Sequence, residues 1–295
     1  MESPSLSVSI ITYNHREFIA RAIDSALDQR TDFPVTIHIG DDFSNDGTRE
    51  ILREYQAAHT DRIELNLQEK RPAGIPGRVN NVTNLQSCRG KYVAMLDGDD
   101  YWTDPLKLQR QVDFLESSPD HVGAAHGFIR SFGNGVSSRE PHYDAHEAQE
   151  CDLDQPDIFE RQHIQTSTFV FRRSAVSFPE WFERIHAADY AIFLMAASHG
   201  PVRYDPAVRS VYRQHPSSVM RQRGDNIWAR AVVNDSPILF EEFPAIKTRR
   251  RRSALLRARR LIAMEEGQYG AGLALAARLL VEDPAALLRW LRDRA

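Results

Sequence analysis

The chain has 295 residues, 42% of them hydrophobic and 26% charged, and its formal net charge is −4. This is the composition of an ordinary globular protein, and the small negative charge disfavours nucleic acid as a partner. Its two cysteines, Cys88 and Cys151, are too few and too isolated for a disulfide framework or a cysteine zinc site. The amino terminus has neither a basic segment nor an apolar run, so we expect no signal peptide and a cytoplasmic location.

The first half of the chain alternates short apolar strands with amphipathic helices. Strands are predicted in chain order at residues 6–12, 35–39, 63–67 and 92–96. Helices are predicted after each of them, at residues 18–27, around Leu52, at 79–88 and from Pro105 onward. This alternation is typical of an α/β fold, with a mostly parallel sheet flanked by helices.

The second half changes character. Residues 133–155 lose the pattern and are predicted to form a long loop. Further strands are expected at 166–171 and 208–212, with a helix at 189–198 between them. From Asp225 onward the chain is predicted to be helical, with breaks at Pro237, Pro244, Gly267 and Pro284.

A domain boundary is therefore placed near Gly224. It divides a domain of residues 1–224 from a helical C-terminal extension of residues 225–295. Basic residues crowd the extension, at Lys247, Arg249 to Arg252, Arg257, Arg259 and Arg260. Such a helix can lie on an anionic membrane surface, giving peripheral contact at the inner face, or it can be a solvated face packed on protein.

Two acidic clusters follow predicted strands, Asp41-Asp42 after the second and Asp97 to Asp100 after the fourth. Ligands of such sheets bind at the carboxyl ends of the strands, so both clusters are expected beside a ligand crevice. Three carboxylates within four residues repel one another unless a cation joins them. Mg²⁺ and Mn²⁺ prefer carboxylate oxygen, which predicts a divalent metal site; the alternative is a solvated acidic turn that caps the next helix.

Three segments share one order and context with a known family. They are Ser7 to Asn14 (SVSIITYN), Ile39 to Thr48 (IGDDFSNDGT) and Gly90 to Trp102 (GKYVAMLDGDDYW). Together they resemble family 2 glycosyltransferases, which have the GT-A fold, and the similarity covers roughly residues 6–220. The resemblance implies transfer of a sugar from a nucleotide-diphosphate sugar to a hydroxyl acceptor, with inversion and with Mn²⁺ or Mg²⁺ as cofactor.

The resemblance also implies a nucleotide site. Asp42 is expected to bind the base, which suits uracil or thymine, while the backbone from Thr12 through Tyr13 to Asn14 borders that base. Asp97 is expected near the ribose, with Gly98 beside it. Arg78 and Lys70 are candidate diphosphate contacts, or simply solvated loop charges.

Metal ligands follow from the same motifs. Asp99 is expected to bind the metal directly, and Asp97 is expected to bind it or its waters, with Asp100 assisting. His215, in a Tyr-Arg-x-His segment, is a further candidate ligand, and Arg213 can contact phosphate. Trp102 can stack on a sugar, although a core position is the commoner use of tryptophan.

The general base expected from the resemblance is Asp189. The family often has Glu-Asp at this point, whereas this chain has Ala188-Asp189, so whatever the glutamate contributes is absent. An inverting displacement needs one carboxylate to take the proton of the acceptor hydroxyl. Asp189 can also act purely as a helix N-cap.

Two other functions remain open. A nucleotidyltransferase that makes nucleotide sugars shares the architecture, but it normally has a Gly-rich phosphate loop where this chain has Tyr13 to Arg16. A non-catalytic protein that keeps the nucleotide pocket is the other, and Ala188 is the feature in its favour. The acceptor expected for a transferase is a saccharide, a lipid-linked saccharide, a peptide or a natural product.

Overall fold

The computed structural model describes residues 5–70, 74–132, 136–138, 149–161, 164–216, 227–246 and 249–282. The chain divides into two compact units. The first consists of Met1–Asp154, His163–Phe178 and Met195–His215, and the second of Gln155–Gln162, Pro179–Leu194 and Pro216–Ala295. The boundary predicted near residue 224 lies outside the described residues and stays a prediction.

The first unit contains one sheet, to which ten strands of the described chain belong. The strands are β1 Leu6–Thr12, β2 Val35–Asp41, β3 Ile63–Leu67, β4 Tyr92–Asp97, β5 Tyr101–Trp102, β6 Gly123–Phe132, β7 Val136–Ser138, β8 Cys151–Leu153, β9 Val170–Arg172 and β10 Val202–Gln214.

The helices are distributed over both units. In chain order they are α1 Ile19–Leu27, α2 Thr48–Ala58, α3 Arg78–Ser87, α4 Lys107–Ser117, α5 Gln155–Arg161, α6 Ala188–Ala197, α7 Ile227–Glu242, α8 Arg249–Glu265 and α9 Tyr269–Glu282.

The sheet order is β3-β2-β1-β4-β9-β6-β10-β5, with β7 beside β6 and β8 beside β10. The four strands from β3 to β4 are parallel to one another. Strand β9 runs antiparallel to both of its neighbours, whereas β6 and β10 are again parallel. The predicted α/β fold, a mostly parallel sheet flanked by helices, is confirmed.

The core of the first unit forms where helices cover the central strands. Val8 and Ile10 of β1 are fully buried, as are Ile19 and Ile23 of α1 and Leu108 of α4. Burying a side chain of this size contributes about 1.5–3 kcal/mol, so this continuous apolar packing fixes which strands are central. Central placement of β1 also fixes the position of the loop that follows it.

Several elements differ from the sequence prediction. Strands β7 and β8 lie within residues 133–155, which were predicted to form a loop, and β5 and α5 were not predicted. Thr166–Thr168 is a short 3₁₀ turn, and the strand starts only at Val170. Strand β10 is longer than predicted, at Val202–Gln214. Strand β6 was not predicted, because its sequence GAAHGFIRSF begins with small residues of low β propensity.

The predicted helical extension is confirmed over α7, α8 and α9. The predicted break at Pro237 is wrong, since α7 continues through it. A proline removes one helical hydrogen bond, but Val232 and Leu239 on either side are buried and hold the helix by packing. Within the described residues no helix is both long and apolar enough to cross a membrane.

One buried histidine gives the fold a pH dependence. Burial lowers the pKa of His126 well below its usual value, and nearby Lys107 lowers it further. The unfolded chain therefore takes up this proton more readily, so the free energy of unfolding should fall as the pH drops below about 6.5. Replacing His126 with glutamine should make the free energy of unfolding, measured with urea at about pH 7.5 and 5.5, less sensitive to pH. An equal or steeper pH dependence in the variant would contradict this assignment.

Candidate active site

The carboxyl ends of β1, β2 and β4 meet at one edge of the sheet. The register pairs Thr12 with Asp41 and Ile11 with Asp97. Beyond the strands, the Asp42 amide donates to the Thr12 carbonyl at 2.9 Å, and the Gly98 amide donates to the Ile11 carbonyl at 2.8 Å. The two acidic clusters and the loop after β1 therefore lie together, as the sequence predicted.

Asp41, at the end of β2, and Asp46, in the turn that follows, both hold nearby backbone amides. Asp41 is fully buried, where its carboxylate accepts the Ser44 amide at 3.0 Å and pairs with Arg49 at 3.3 Å. Asp46 accepts the amide and the hydroxyl of Thr48, the first residue of α2. These two carboxylates hold the turn after β2 and the start of α2.

Asp42 instead faces the loop before α3. One of its carboxylate oxygens accepts the Gly77 amide at 3.1 Å. Arg78, the next residue and the first of α3, is buried, so it is not the solvated loop charge of the alternative interpretation. Lys70, by contrast, is exposed.

The loop after β1 is held by its own polar groups. Asn14 has a left-handed backbone with φ 54°, its amide donates to the Ser44 hydroxyl at 2.8 Å, and its side-chain oxygen accepts the Asn45 amide at 2.9 Å. Tyr13 is half-buried beside it. These bonds tie the loop after β1 to the loop after β2.

Asp99 is the centre of a compact group of possible metal ligands. Its carboxylate lies 3.1 Å from His215 Nε2 and 3.8 Å from His15 Nε2. Within the described part of the chain, one ligand atom from each of the three residues lies within 4.8 Å of the other two. Asp97, half-buried at the end of β4, is outside this group, so its role toward a metal stays a prediction.

The pKa values of the neighbouring carboxyl groups of Asp99 and Asp100 are shifted in opposite directions. Burial raises the pKa of Asp99, but the hydrogen bond with His215 and the proximity of His15 outweigh it, so the pKa lies below its usual value. Burial, with the charges of Asp99 and Asp97, raises the pKa of Asp100 well above its usual value. Burial also lowers the pKa of His15, despite the opposing effect of Asp99. Asp99 is thus an anion beside an imidazole that burial keeps neutral, the protonation states a metal ligand needs.

Asp100 anchors the acidic loop to the rest of the sheet. Its two oxygens accept the Arg213 amide at 2.9 Å and the Gln165 side-chain amide at 2.8 Å. The first bond holds the end of β10, and so His215, against the loop that carries Asp99. Asp100 therefore positions the site through its hydrogen bonds.

Aromatic rings line the approach from β10. The Arg213 guanidinium lies 4.6 Å from the Tyr101 ring and 5.3 Å from the Phe18 ring, and Phe18 packs 4.2 Å from the His215 ring. Trp102 is only 3% exposed, and its indole nitrogen donates to the Ser167 carbonyl at 2.7 Å. This placement favours the core role of Trp102 over stacking on a sugar.

Asp189 belongs to the second unit, at the start of α6. It is half-buried, and one of its oxygens accepts the amide of Tyr190 at 2.8 Å. The segment before it is held by buried Asp235 of α7, which accepts the amides of His186 and Ala187 and pairs with the His186 imidazole at 2.8 Å. A residue of the predicted extension thus fixes the segment that presents Asp189.

Two residues of the site were missed by sequence reasoning. His15 lies in the loop after β1 and has no recognisable spacing to other ligands. Gln165 lies just before the strand predicted at residues 166–171, and the structure bonds it to Asp100. Both partnerships join segments far apart in the chain, which a sequence pattern does not show.

The residues present fit a divalent cation. A carboxylate and two imidazoles converge, and the His15 Nδ1 and Thr12 Oγ1 atoms are buried without a hydrogen-bond partner in the described chain. Gly98 leaves space for this arrangement, because a Cβ there would lie 2.8 Å from Thr12 Cβ and 3.1 Å from His15 Nδ1.

This contact makes Gly98 a sensitive position. Replacing Gly98 with alanine should displace Thr12 and His15 and weaken metal binding by about tenfold or more, since small shifts around metal ligands cost about 10–100-fold in affinity. Isothermal titration with Mn²⁺ measures the change. Gly270→Ala is the matched control, because a Cβ at Gly270 meets nothing within 4 Å and the backbone there is helical. Unchanged Mn²⁺ affinity in Gly98→Ala would show that the site does not depend on this contact.

A sequence model described as Glycosyl transferase family 2 matches residues 7–177. The chain belongs to this family. The matched segment includes the loops after β1, β2 and β4, and it ends before Asp189 and His215. The family assignment therefore covers the acidic clusters and leaves those two residues to be argued from their surroundings.

Two relatives illustrate the family. An uncharacterized protein of Mycobacterium tuberculosis is 32% identical over 215 residues, which are 72% of this chain and 60% of that protein. This chain therefore matches less than two thirds of that relative's length. The Escherichia coli protein WfaP, named UDP-Glc:alpha-D-GlcNAc-diphosphoundecaprenol beta-1,3-glucosyltransferase, is 29% identical over 220 residues, 72% of this chain and 79% of that protein.

A solved structure shows the same fold. The mannosyltransferase PcManGT from Pyrobaculum calidifontis, in complex with GDP-Man and Mn²⁺, aligns with a TM-score of 0.58 and 18% identity over 96% of this chain and 82% of that chain. At this identity the likeness establishes a GT-A-like fold and no more, because one fold hosts many functions.

Proposed function

We propose that this protein is an inverting glycosyltransferase that moves a sugar from a UDP- or TDP-sugar to a hydroxyl acceptor with the help of Mn²⁺ or Mg²⁺. The observation that carries the proposal is the meeting of Asp99 and His215 beside the loops after β1 and β2. Family membership supplies the reaction class, and these residues supply the place where a nucleotide diphosphate and its cation bind together.

The cation would be held by Asp99 and His215, with Asp97 contacting it or its waters. When bound, it neutralises the diphosphate that leaves the sugar. Arg213, fixed between two aromatic rings, and Arg78, buried at the start of α3, are the cationic side chains assigned to the phosphates. Arginine suits this role because its fork of N–H groups matches phosphate oxygens.

The nucleoside is assigned to the edge formed by β1 and β2. Asp42 holds the Gly77 amide just before α3, at the edge where the loops after β1 and β2 meet, and this position supports its use in binding the base. The backbone from Thr12 to Asn14 is assigned to border the base, and Gly98, beside Asp97, is assigned to the ribose side. A uracil or thymine ring offers an imide N–H that a carboxylate can accept.

Asp189 is assigned as the general base that deprotonates the acceptor hydroxyl. A single displacement needs one such carboxylate and no nucleophile from the protein. Asp189 lies in the first turn of α6, on a segment that Asp235 fixes at two amides. Rigid presentation of this kind favours a chemical role over a flexible surface charge.

The acceptor and location are proposed from a relative. The WfaP name gives a diphosphoundecaprenol-linked saccharide as that protein's acceptor, which supports a role in surface polysaccharide or glycolipid synthesis here. A cytoplasmic protein that contacts the inner face of the membrane through its basic C-terminal helices fits such an acceptor. Lys247 lies outside the described residues, as do the side chains of Arg249 to Arg252.

The proposal is tested by incubating the full chain with UDP-, TDP- and GDP-sugars, Mn²⁺ and lipid-linked or simple glycoside acceptors. Mass spectrometry should detect release of one nucleoside diphosphate together with a glycosylated acceptor of inverted configuration. Release of pyrophosphate from a sugar phosphate and a nucleoside triphosphate would instead indicate the nucleotidyltransferase. Nucleotide binding without any turnover would indicate the non-catalytic relative.

A further inference from the structure

His15 gives the site a second imidazole that the motif-based assignment did not include. It lies in the loop after β1, whereas His215 follows β10, yet both rings face the same Asp99 oxygen at 3.8 and 3.1 Å. The two ring centroids are 6.1 Å apart and nearly perpendicular, at 88°. Both imidazoles can therefore direct a nitrogen at an ion that binds the Asp99 carboxylate.

The separations fit a single small cation. Bonds of about 2.1 Å place two ligands about 3.0 Å apart when they are adjacent and about 4.2 Å apart when they are opposite. The His215–Asp99 separation of 3.1 Å matches adjacent positions, and the His15–Asp99 separation of 3.8 Å lies between the two limits. The ligand atoms of all three residues lie within 4.8 Å of one another. This limit is slightly above the separation of about 4.2 Å expected for opposite ligands, so a small inward shift of the side chains is enough for them to bind one ion.

The surroundings of His15 also indicate a ligand. Its side chain is 16% exposed, so the ring lies within the protein, yet its Nδ1 atom has no hydrogen-bond partner in the described chain. A histidine kept for packing alone would normally satisfy both ring nitrogens. An imidazole that binds a cation through Nε2 carries its proton on Nδ1. Thr12 Oγ1 is likewise buried without a hydrogen-bond partner in the described chain, and it lies beside Gly98 on the same side as His15 Nδ1.

We propose that His15 is a third metal ligand, so that the cation is held by two imidazoles and one carboxylate and a transition-metal ion such as Mn²⁺ or Co²⁺ is preferred to Mg²⁺. Imidazole nitrogen suits transition metals, whereas Mg²⁺ prefers oxygen and keeps most of its waters. This inference rests on the proposed metal-assisted function, and it assigns the metal class that the acidic motif alone leaves open between Mn²⁺ and Mg²⁺.

The test measures metal binding to the nucleotide-free full chain. Dissociation constants for Mn²⁺, Co²⁺ and Mg²⁺ are determined for the wild type, His15→Gln and the control His59→Gln, whose imidazole lies at the C-terminal end of α2. The wild type should bind Mn²⁺ at least about tenfold more tightly than Mg²⁺, and His15→Gln should lose about 10–100-fold in Mn²⁺ and Co²⁺ affinity. His59→Gln should match the wild type.

A spectroscopic readout counts the nitrogens directly. Pulsed EPR of bound Mn²⁺ should show two coordinated imidazole nitrogens in the wild type and one in His15→Gln. The variant His15→Asp replaces nitrogen by oxygen, so it should regain Mg²⁺ affinity while losing its preference for Co²⁺. Because His15→Asp should still bind Mg²⁺, it also shows that a loss of Co²⁺ affinity does not result from misfolding.

The inference would be overturned if His15→Gln bound Mn²⁺ and Co²⁺ as tightly as the wild type and still showed two nitrogens coordinated to Mn²⁺. It would also be overturned if the wild type bound none of the three metals without nucleotide. Binding of UDP to the wild type, measured with and without metal, distinguishes a failure of the His15 proposal from a failure of the proposed function. If UDP binding requires the metal and His15→Gln behaves like the wild type, only the role of His15 fails. If neither metal nor nucleotide binds, the proposed function fails with it.

Discussion

Replacing Asp99 with asparagine is expected to abolish metal-dependent nucleotide binding and to lower turnover by about 10³-fold. Asp99 is the carboxylate that both imidazoles face, and its pKa lies below the usual value, so it is charged whenever a cation arrives. Asparagine keeps the shape and removes the charge. The measurement is the melting midpoint with UDP in the presence and absence of Mn²⁺, followed by the initial rate of transfer.

The matched control for this substitution is Asp113→Asn, which removes an exposed carboxylate of α4 in the same unit. It should leave both the Mn²⁺-dependent shift and the rate unchanged. If Asp99→Asn kept an undiminished Mn²⁺-dependent shift with UDP, the metal would have to bind elsewhere, and the role of the acidic loop would be refuted.

Replacing Asp189 with asparagine should lower kcat by about 10²- to 10⁴-fold while the donor KM stays nearly constant. The carboxylate is expected to act only on the acceptor proton, so the donor site has no reason to change. Asparagine keeps a side-chain oxygen that can accept the Tyr190 amide, which separates the chemical role from the structural one. Steady-state kinetics with varied donor at saturating acceptor provides both constants.

A further comparison strengthens the Asp189 test. Asp189→Ala removes both the carboxylate and its hydrogen bond to the Tyr190 amide, so it should match Asp189→Asn in rate and unfold at a lower temperature, because losing such a hydrogen bond costs about 1 kcal/mol. A near wild-type rate in Asp189→Asn, combined with a loss in Asp189→Ala, would limit Asp189 to this hydrogen bond and remove it from the mechanism.

The sheet could be predicted because its signals are local. Apolar runs such as Leu6–Thr12 and Tyr92–Asp97 end at polar turns, and parallel strands bring those ends to one edge. The convergence of Asp42 with Asp97 to Asp100 therefore follows from the order of elements. Strand β6 escaped prediction for the opposite reason, since its burial depends on neighbours and not on its own pattern.

The composition of the metal site could not be predicted to the same degree. His15 and His215 are 200 positions apart in the sequence, and they meet through Asp99 only because β1 and β10 end at the same place. The link from Asp100 to Arg213, which holds β10 in register with the acidic loop, is likewise a product of the fold. Motifs identify the carboxylates, while the fold supplies their partners.

Ala188 stands where the resemblance leads one to expect a glutamate, and the second unit provides another carboxylate close to this position. Buried Asp235 of α7 accepts two backbone amides just before α6, so a carboxylate is present at the start of this helix although position 188 carries none. The helical extension was predicted from composition as an appendage. Its α7 contributes directly to the segment that carries the proposed base.

The central claim, a nucleotide-sugar site completed by a metal, is tested most directly by thermal stability against UDP, TDP, GDP and ADP, each with and without Mn²⁺. A ligand at 100 times its dissociation constant adds about 2.7 kcal/mol, enough to raise the melting midpoint by several degrees. The account predicts a rise with UDP or TDP that requires Mn²⁺. No rise with any nucleotide and metal together would contradict it.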